Sequence, residues 1–148
     1  MIRLSRLTDY AIVIVAELAR QPGQLLAAAG LSVRTGIPEP TVAKVLKILA
    51  RAEVVQSARG VNGGYQIQRG PDAISIAELV EAMNGPITLT ACVDDGSEDC
   101  GILNSCLLRG RWGPVNSAIR SSLEGVSLAD MIGAAPACGG CDAKAGAV

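Results

Sequence analysis

Histidine and phenylalanine are absent from this chain of 148 residues, and its aromatics are limited to Trp112, Tyr10 and Tyr65. Without histidine, any metal site must draw on thiolates and carboxylates. Without phenylalanine, the core must be assembled from Leu, Ile, Val and Ala, which suits small helices packed closely. A long apolar run is also missing. Arg3 and Arg6, the apolar stretch from Tyr10 to Ala16 and then Ala27-Ala28-Ala29 imitate a secretion signal. The stretch is too short to span a bilayer, however, and charges at Asp9, Glu17 and Arg20 interrupt the pattern. Leu4, Leu7, Ala11, Ile14 and Leu18 fall at helical spacing, so the segment reads as an amphipathic core helix of a cytoplasmic protein with no membrane partner.

No pattern of half-cystines runs through the chain, which points away from a disulfide framework. Three of the five cysteines instead share one acidic loop, Cys92, Cys100 and Cys106, with seven and then five residues between them. Thiolates gathered in one loop point to a metal or cluster site. A structural zinc site is disfavoured, because such sites use close C-x-x-C knuckles and this trio has none. Strong net charge is missing only on average. Residues 1–70 carry nine Lys/Arg against four Asp/Glu, and residues 71–148 carry four against ten. A basic half joined to an acidic half is expected when one half meets phosphate.

The basic half carries the corresponding pattern. A short helix from about Leu26 to Thr35 and a second from about Glu39 to Ala52 flank Gly36-Ile37-Pro38. Gly36 suits the left-handed position at a helix end and Pro40 the first turn of the next helix. Two helices joined by a tight glycine turn are a helix-turn-helix signature. In the second helix Val42, Val45, Leu46 and Leu49 share one face, while Thr41, Lys44, Lys47 and Arg51 lie largely on the other. Val54-Val55 and Tyr65-Gln66-Ile67 read as strands around a glycine-rich loop, with Asn62-Gly63 as the hairpin signal. Arg59 in that loop can reach phosphates or a minor groove. No strand–loop–helix GKS or GKT pattern supports the rival reading of a phosphate-binding enzyme loop. The candidate DNA-contacting residues are Thr41, Lys44, Lys47 and Arg59.

Ser75 and Glu78 form a capping-box pattern that opens a helix with Ile76, Leu79, Val80 and Met83 on its inner face. Asn84-Gly85-Pro86 ends it. After the cysteines, Leu108, Trp112, Val115, Ile119 and Leu123 recur at three or four residues, the stripe of a long dimerisation helix. Gly110, Gly113 and Pro114 place the regular part of that helix near Pro114. Ser127 starts a further short helix to Ile132. The Ala/Gly-rich remainder carries Cys138 and Cys141, a C-x-x-C without the βαβ setting of a redox motif.

These features together resemble the winged-helix iron–sulfur regulators of the Rrf2 family, with its IscR-like and NsrR-like branches. The resemblance spans about residues 1–132. It rests on Leu4-Ser5-Arg6-Leu7-Thr8-Asp9-Tyr10-Ala11, on Thr35-Gly36-Ile37, on Ala58-Arg59-Gly60-Val61-Asn62-Gly63-Gly64-Tyr65 and on the three cysteines. The wording around the cysteines and the ending Leu123-Glu124-Gly125-Val126-Ser127-Leu128-Ala129-Asp130-Met131 are similar to the branch that governs SUF-type iron–sulfur assembly genes.

The resemblance implies a mainly α fold with a small β-hairpin wing, a winged helix-turn-helix plus a long dimerisation helix. It divides the chain into a DNA-binding domain over 1–85, a cluster-binding loop over 86–107, a dimerisation helix and turn over 108–132 and a flexible tail over 133–148. It implies a homodimeric repressor, not an enzyme, that binds a pseudo-palindromic double-stranded operator. An iron–sulfur cluster on Cys92, Cys100 and Cys106 would control its affinity, with [2Fe–2S] favoured over [4Fe–4S]. Two departures bear on the details. The third residue after Cys106, where IscR-like members place a ligating histidine, is Arg109, and the base-discriminating glutamate of their recognition helix is replaced by Ala43. Asp9 matches the aspartate that NsrR-like members supply from the partner's first helix. Asp94, Asp95, Glu98, Asp99, Cys138 and Cys141 are the other candidates for a fourth ligand. A thiol-based redox regulator of the same fold, or a nitric-oxide sensor, is the alternative. A cluster carrier of another class would have no use for the basic helix and wing.

Overall fold

The computed structural model describes residues 2–93 and 100–133. Helix α1 (Arg6–Ala19) starts where the Ser5 hydroxyl accepts the Thr8 amide, filling one of the donors a helix start leaves open. Leu4, expected on the inner stripe, therefore falls outside the helix and is exposed, while Ala11, Ile14, Val15 and Leu18 are buried. Helices α2 (Ala28–Thr35) and α3 (Glu39–Arg51) follow. The expected start of α2 at Leu26 moves to Ala28 because Leu26 exchanges both backbone hydrogen bonds with Tyr65, at 2.9 and 3.0 Å. A residue bound into a β-bridge cannot also begin a helix.

Gly36 sits between α2 and α3 at φ +76°, the left-handed region that a Cβ disfavours. Three side-chain bonds fix this turn. The Thr35 hydroxyl donates to the Leu31 carbonyl at 2.7 Å and accepts the Ile37 amide at 3.3 Å, and the Ser32 hydroxyl donates to the Ile37 carbonyl at 2.6 Å. Helix α3 then buries Val42, Val45, Leu46 and Leu49 completely. Each such side chain stabilises the fold by about 1.5–3 kcal/mol.

At its far end the Val54 amide bonds the Leu49 carbonyl and the Glu53 amide the Ala50 carbonyl. This is a Schellman ending, and Glu53 takes the left-handed position usually given to glycine, with φ +60°. The chain turns there into an antiparallel hairpin of β1 (Val55–Ala58) and β2 (Gly64–Ile67), in which Ser57 faces Tyr65 and Ala58 faces Gly64. Gly64 lies against Leu26, where an added Cβ would sit 2.8 Å from the Leu26 backbone. The third element of the wing is thus the single residue Leu26.

A short 3₁₀ turn (Pro71–Ala73) leads to α4 (Ile76–Asn84). The expected capping box is half made. The Ser75 hydroxyl accepts the Glu78 amide, but the Glu78 carboxylate grips Arg69 at the end of the wing instead of returning to Ser75. The reciprocal box appears at α6 (Leu128–Ile132), where Ser127 and Asp130 cap each other. Between them α5 (Gly113–Glu124) begins beside Pro114, where the sequence places the start of regular helix. A bridge pairs Ser75 with Ser127, and Leu128 is fully buried in the core formed by α1, α3 and α4. No described helix is long and apolar enough to cross a membrane.

Candidate nucleic-acid interface and cysteine site

With Val42, Val45, Leu46 and Leu49 committed to the core, the opposite face of α3 is left to solvent. Lys44, Lys47 and Arg51 stand exposed on it and, with Pro40, Ala43 and Ile48, line an open concavity of about 420 Å³. Thr41 is half-buried on the flank of this face. Arg59 is exposed immediately after β1, in a loop closed by the Gly63 amide bonding the Gly60 carbonyl at 3.0 Å. That turn is centred on Val61-Asn62, one residue earlier than the Asn-Gly pair suggests.

Charge pairing separates two populations of basic side chains. Arg20 and Arg34 pair with Glu17, Arg69 with Glu78, and Arg120 with Glu81 and Glu124. Among the described residues, Arg3, Arg6, Arg109 and Arg111 form no ion pair, and neither do Lys44, Lys47, Arg51 and Arg59, which share the outer face of α3 and the adjoining wing. Four unneutralised cations on one helix face and the adjoining wing make a surface suited to a polyanion. The sequence pattern places Arg51 on this polar face, seven and four residues from Lys44 and Lys47, but the candidate DNA contacts read from the sequence omit it.

The cysteine site begins where α4 ends. The Asn84 side-chain amide, through Nδ2, donates to the hydroxyl of buried Thr8 at 2.9 Å, and the Thr8 hydroxyl in turn lies 2.7 Å from the Ser5 hydroxyl that caps α1. The chain then passes α5, where the Asn116 side chain accepts the Leu89 amide at 3.0 Å and donates to the Ile87 carbonyl at 2.9 Å. A 3₁₀ turn over Ala91–Val93 follows, closed by the Val93 amide on the Thr90 carbonyl, and the Thr90 hydroxyl lies 3.2 Å from Cys92 Sγ. Cys100 and Cys106 return in turns, their carbonyls accepting the amides of Leu103 and Arg109.

All three cysteines are free thiols and half-buried, and thiolates are the donors that soft metals and iron–sulfur clusters prefer. Among the described residues, no group of three His, Cys, Asp or Glu is drawn close enough to hold a metal ion in this conformation. Asp9 stands exposed in the first turn of α1 and does not complete such a group among the described residues. Arg109 is exposed. Asp94, Asp95, Glu98 and Asp99, and the tail with Cys138 and Cys141, lie outside the described residues.

Beyond the cysteines, Leu108, Trp112 and Val115 are 51%, 37% and 45% exposed. With Arg111 they line an open cavity of about 200 Å³. Leu123, the last member of the stripe, packs inward against the core. The stripe therefore splits, its first turns facing solvent and its end facing α4.

Comparison with known proteins gives a consistent picture. The family profile described as Rrf2, iron-dependent transcriptional regulator, matches residues 4–134. ORF2 of Azotobacter vinelandii is 33% identical over 132 residues, which is 88% of this chain and 79% of that protein. The HTH-type transcriptional regulator IscR of Aliivibrio salmonicida is 32% identical over 104 residues, 70% of this chain and 61% of that protein. Among solved structures, CymR, the global cysteine regulator of B. subtilis, superposes with a TM-score of 0.68 at 25% identity. That match covers 89% of this chain and 97% of CymR. IscR of T. potens shares the fold, with a TM-score of 0.65 at 23% identity over 88% of this chain and 86% of that one.

Proposed function

The chain belongs to the Rrf2 family of winged-helix transcription regulators, and we propose that it is a homodimeric repressor whose operator affinity is set by the state of its cysteine loop. The observation that carries the DNA reading is the clustering of unpaired cations on one face of α3 and the adjoining wing. Arg34, Arg69 and Arg120 are spent on internal carboxylates, whereas Lys44, Lys47, Arg51 and Arg59 are not. In a dimer, two α3 helices would enter successive major grooves of a pseudo-palindromic site, about 34 Å apart, with the wings at the flanks. The exposed trio Leu108, Trp112 and Val115 supplies an apolar seam for the second copy, beside the loop stem that leads to Cys92.

Cys92, Cys100 and Cys106 would hold an iron–sulfur cluster, of the [2Fe–2S] kind in preference to [4Fe–4S], with Asp9 of the partner subunit as the fourth ligand. When bound, the cluster supplies a cross-link between the two arms of the loop that oxidants and iron loss can break. The protein's own part is to present Cys92 at the end of a held stem and Cys100 and Cys106 in the turns that return, and to be the regulator of iron–sulfur assembly genes of the SUF type. A second reading has an observation of its own. The thiols are free, the described donors do not converge, and the similar B. subtilis structure is that of a cysteine regulator. In that reading the same loop switches by thiol oxidation.

The visible spectrum and the iron and sulfide content of anaerobically purified protein separate the two. Brown protein with iron and sulfide supports the cluster, and loss of the chromophore in Cys92→Ala, Cys100→Ala and Cys106→Ala identifies its ligands. Colourless, metal-free protein that still binds operator in a thiol-dependent way supports the thiol switch.

A further inference from the structure

Two polar side chains are buried among the described residues, Thr8 and Asn116, and both grip the stem that runs from α4 to Cys92. Thr8 holds it through Asn84 at its start. Asn116 holds it three residues before Cys92, using its carbonyl on the Leu89 amide and its amide on the Ile87 carbonyl. One side chain thereby imitates the donor and acceptor of a neighbouring β-strand residue. Asparagine is a poor helix former, and a buried amide left unpaired is costly, so this residue is tolerated inside α5 because the stem satisfies it.

We infer that Asn116 is a positioning residue that makes Cys92 and α5 move as one body. From Leu89 the tie continues locally, through the turn closed by Thr90 and Val93 and the contact of the Thr90 hydroxyl with Cys92 Sγ. On the helix side, Asn116 directly follows Val115 and lies one turn from Trp112 at the helix N-cap, so the helix that grips the stem carries two of the three exposed apolar residues. A change at Cys92 is thus delivered to α5 without passing through the aliphatic core of the head. The inference deepens the proposed function and rests on its claim that the loop state controls operator binding.

The test uses the full-length protein with Asn116→Ala, and Leu128→Val as a control that loosens the core elsewhere. The first readout is the rate at which N-ethylmaleimide alkylates Cys92 in reduced, metal-free protein, followed by mass spectrometry against Cys106 as internal reference. Asn116→Ala is expected to expose Cys92 about 5-fold or more faster, as a local opening does, with Cys106 unchanged and with no such rise in Leu128→Val. The second readout is the ratio of operator affinities in the two loop states. It should fall to within about twofold of unity in Asn116→Ala, while operator is still bound, because the coupling and not the interface is lost. An unchanged Cys92 rate, or an equal rise in Leu128→Val, overturns the inference. A wild-type protein whose operator affinity ignores the loop state overturns the underlying functional reading instead, and the alkylation rates then still decide whether Asn116 holds Cys92.

Discussion

From α1 to the wing the chain hides Ile14, Leu18, Leu31, Val45, Leu46 and Leu49 from solvent, whereas from the second cysteine to the start of α5 it leaves Ile102, Leu107, Leu108, Trp112 and Val115 exposed. The first region is held by interlocking aliphatic contacts. The second is tethered by the hydrogen bonds of Asn116 and by the inward packing of Leu123. The head thus completes its core on its own, leaving outside it only the scattered valines Val13, Val33 and Val61 beside the outward-facing cations. The loop and the first turns of α5 keep apolar surface and thiols unspent, as a region does when a second copy or a bound centre completes it.

This contrast can be broken most easily by testing stability. Leu46→Ala in the head should lower the unfolding free energy by about 2–5 kcal/mol in urea titrations, the cost of a cavity in a close-packed core. Leu108→Ser or Val115→Ser should leave the thermal unfolding of the head nearly unchanged but shift the mass in light scattering from dimer toward monomer. Equal destabilisation by both kinds of substitution would make the exposed stripe part of the same core. A smaller effect sharpens the electrostatic half of the comparison. Replacing Lys44, Lys47 or Arg59 by Ala should weaken binding to all sequences alike and flatten the salt dependence by about one unit of slope. Arg69→Ala and Arg120→Ala, which remove paired charges, should leave that slope where it is.

Smaller still is the cap of α6, where the Ser127 amide and hydroxyl hold the Asp130 carboxyl below its ordinary range. A depressed carboxylate stabilises the fold above its unfolded pKa, and that contribution disappears as pH falls through the folded one. An NMR titration of Asp130 should therefore move toward the ordinary aspartate range in Ser127→Ala, and a titration unmoved by the substitution would remove the cap.

The helix-turn-helix was legible because each of its parts has a local signature. Gly36 marks the turn, Pro40 the helix start, and the aliphatic face of α3 falls at helical spacing. The ends of elements were less legible where distant residues decide them. Leu26 is drawn out of α2 by Tyr65, and Glu53 holds a left-handed position that sequence rules assign to glycine. Glu78 abandons its capping role for Arg69. The thiols and the basic face could be read as residue types at a spacing, but Asn116 could not. Its role exists only because α5 passes beside Ile87 and Leu89, which are distant in sequence, and an isolated asparagine on a helix gives no periodic signal.

The most direct test of the account is the operator affinity of one anaerobic preparation, measured by fluorescence anisotropy before and after controlled oxidation and metal removal. The account predicts a change of about 5–150-fold between the two states in the wild type. It also predicts a single affinity, insensitive to the treatment, in Cys92→Ala, Cys100→Ala and Cys106→Ala. Wild-type affinity that stays constant through the treatment, or cysteine variants that respond as the wild type does, would contradict it.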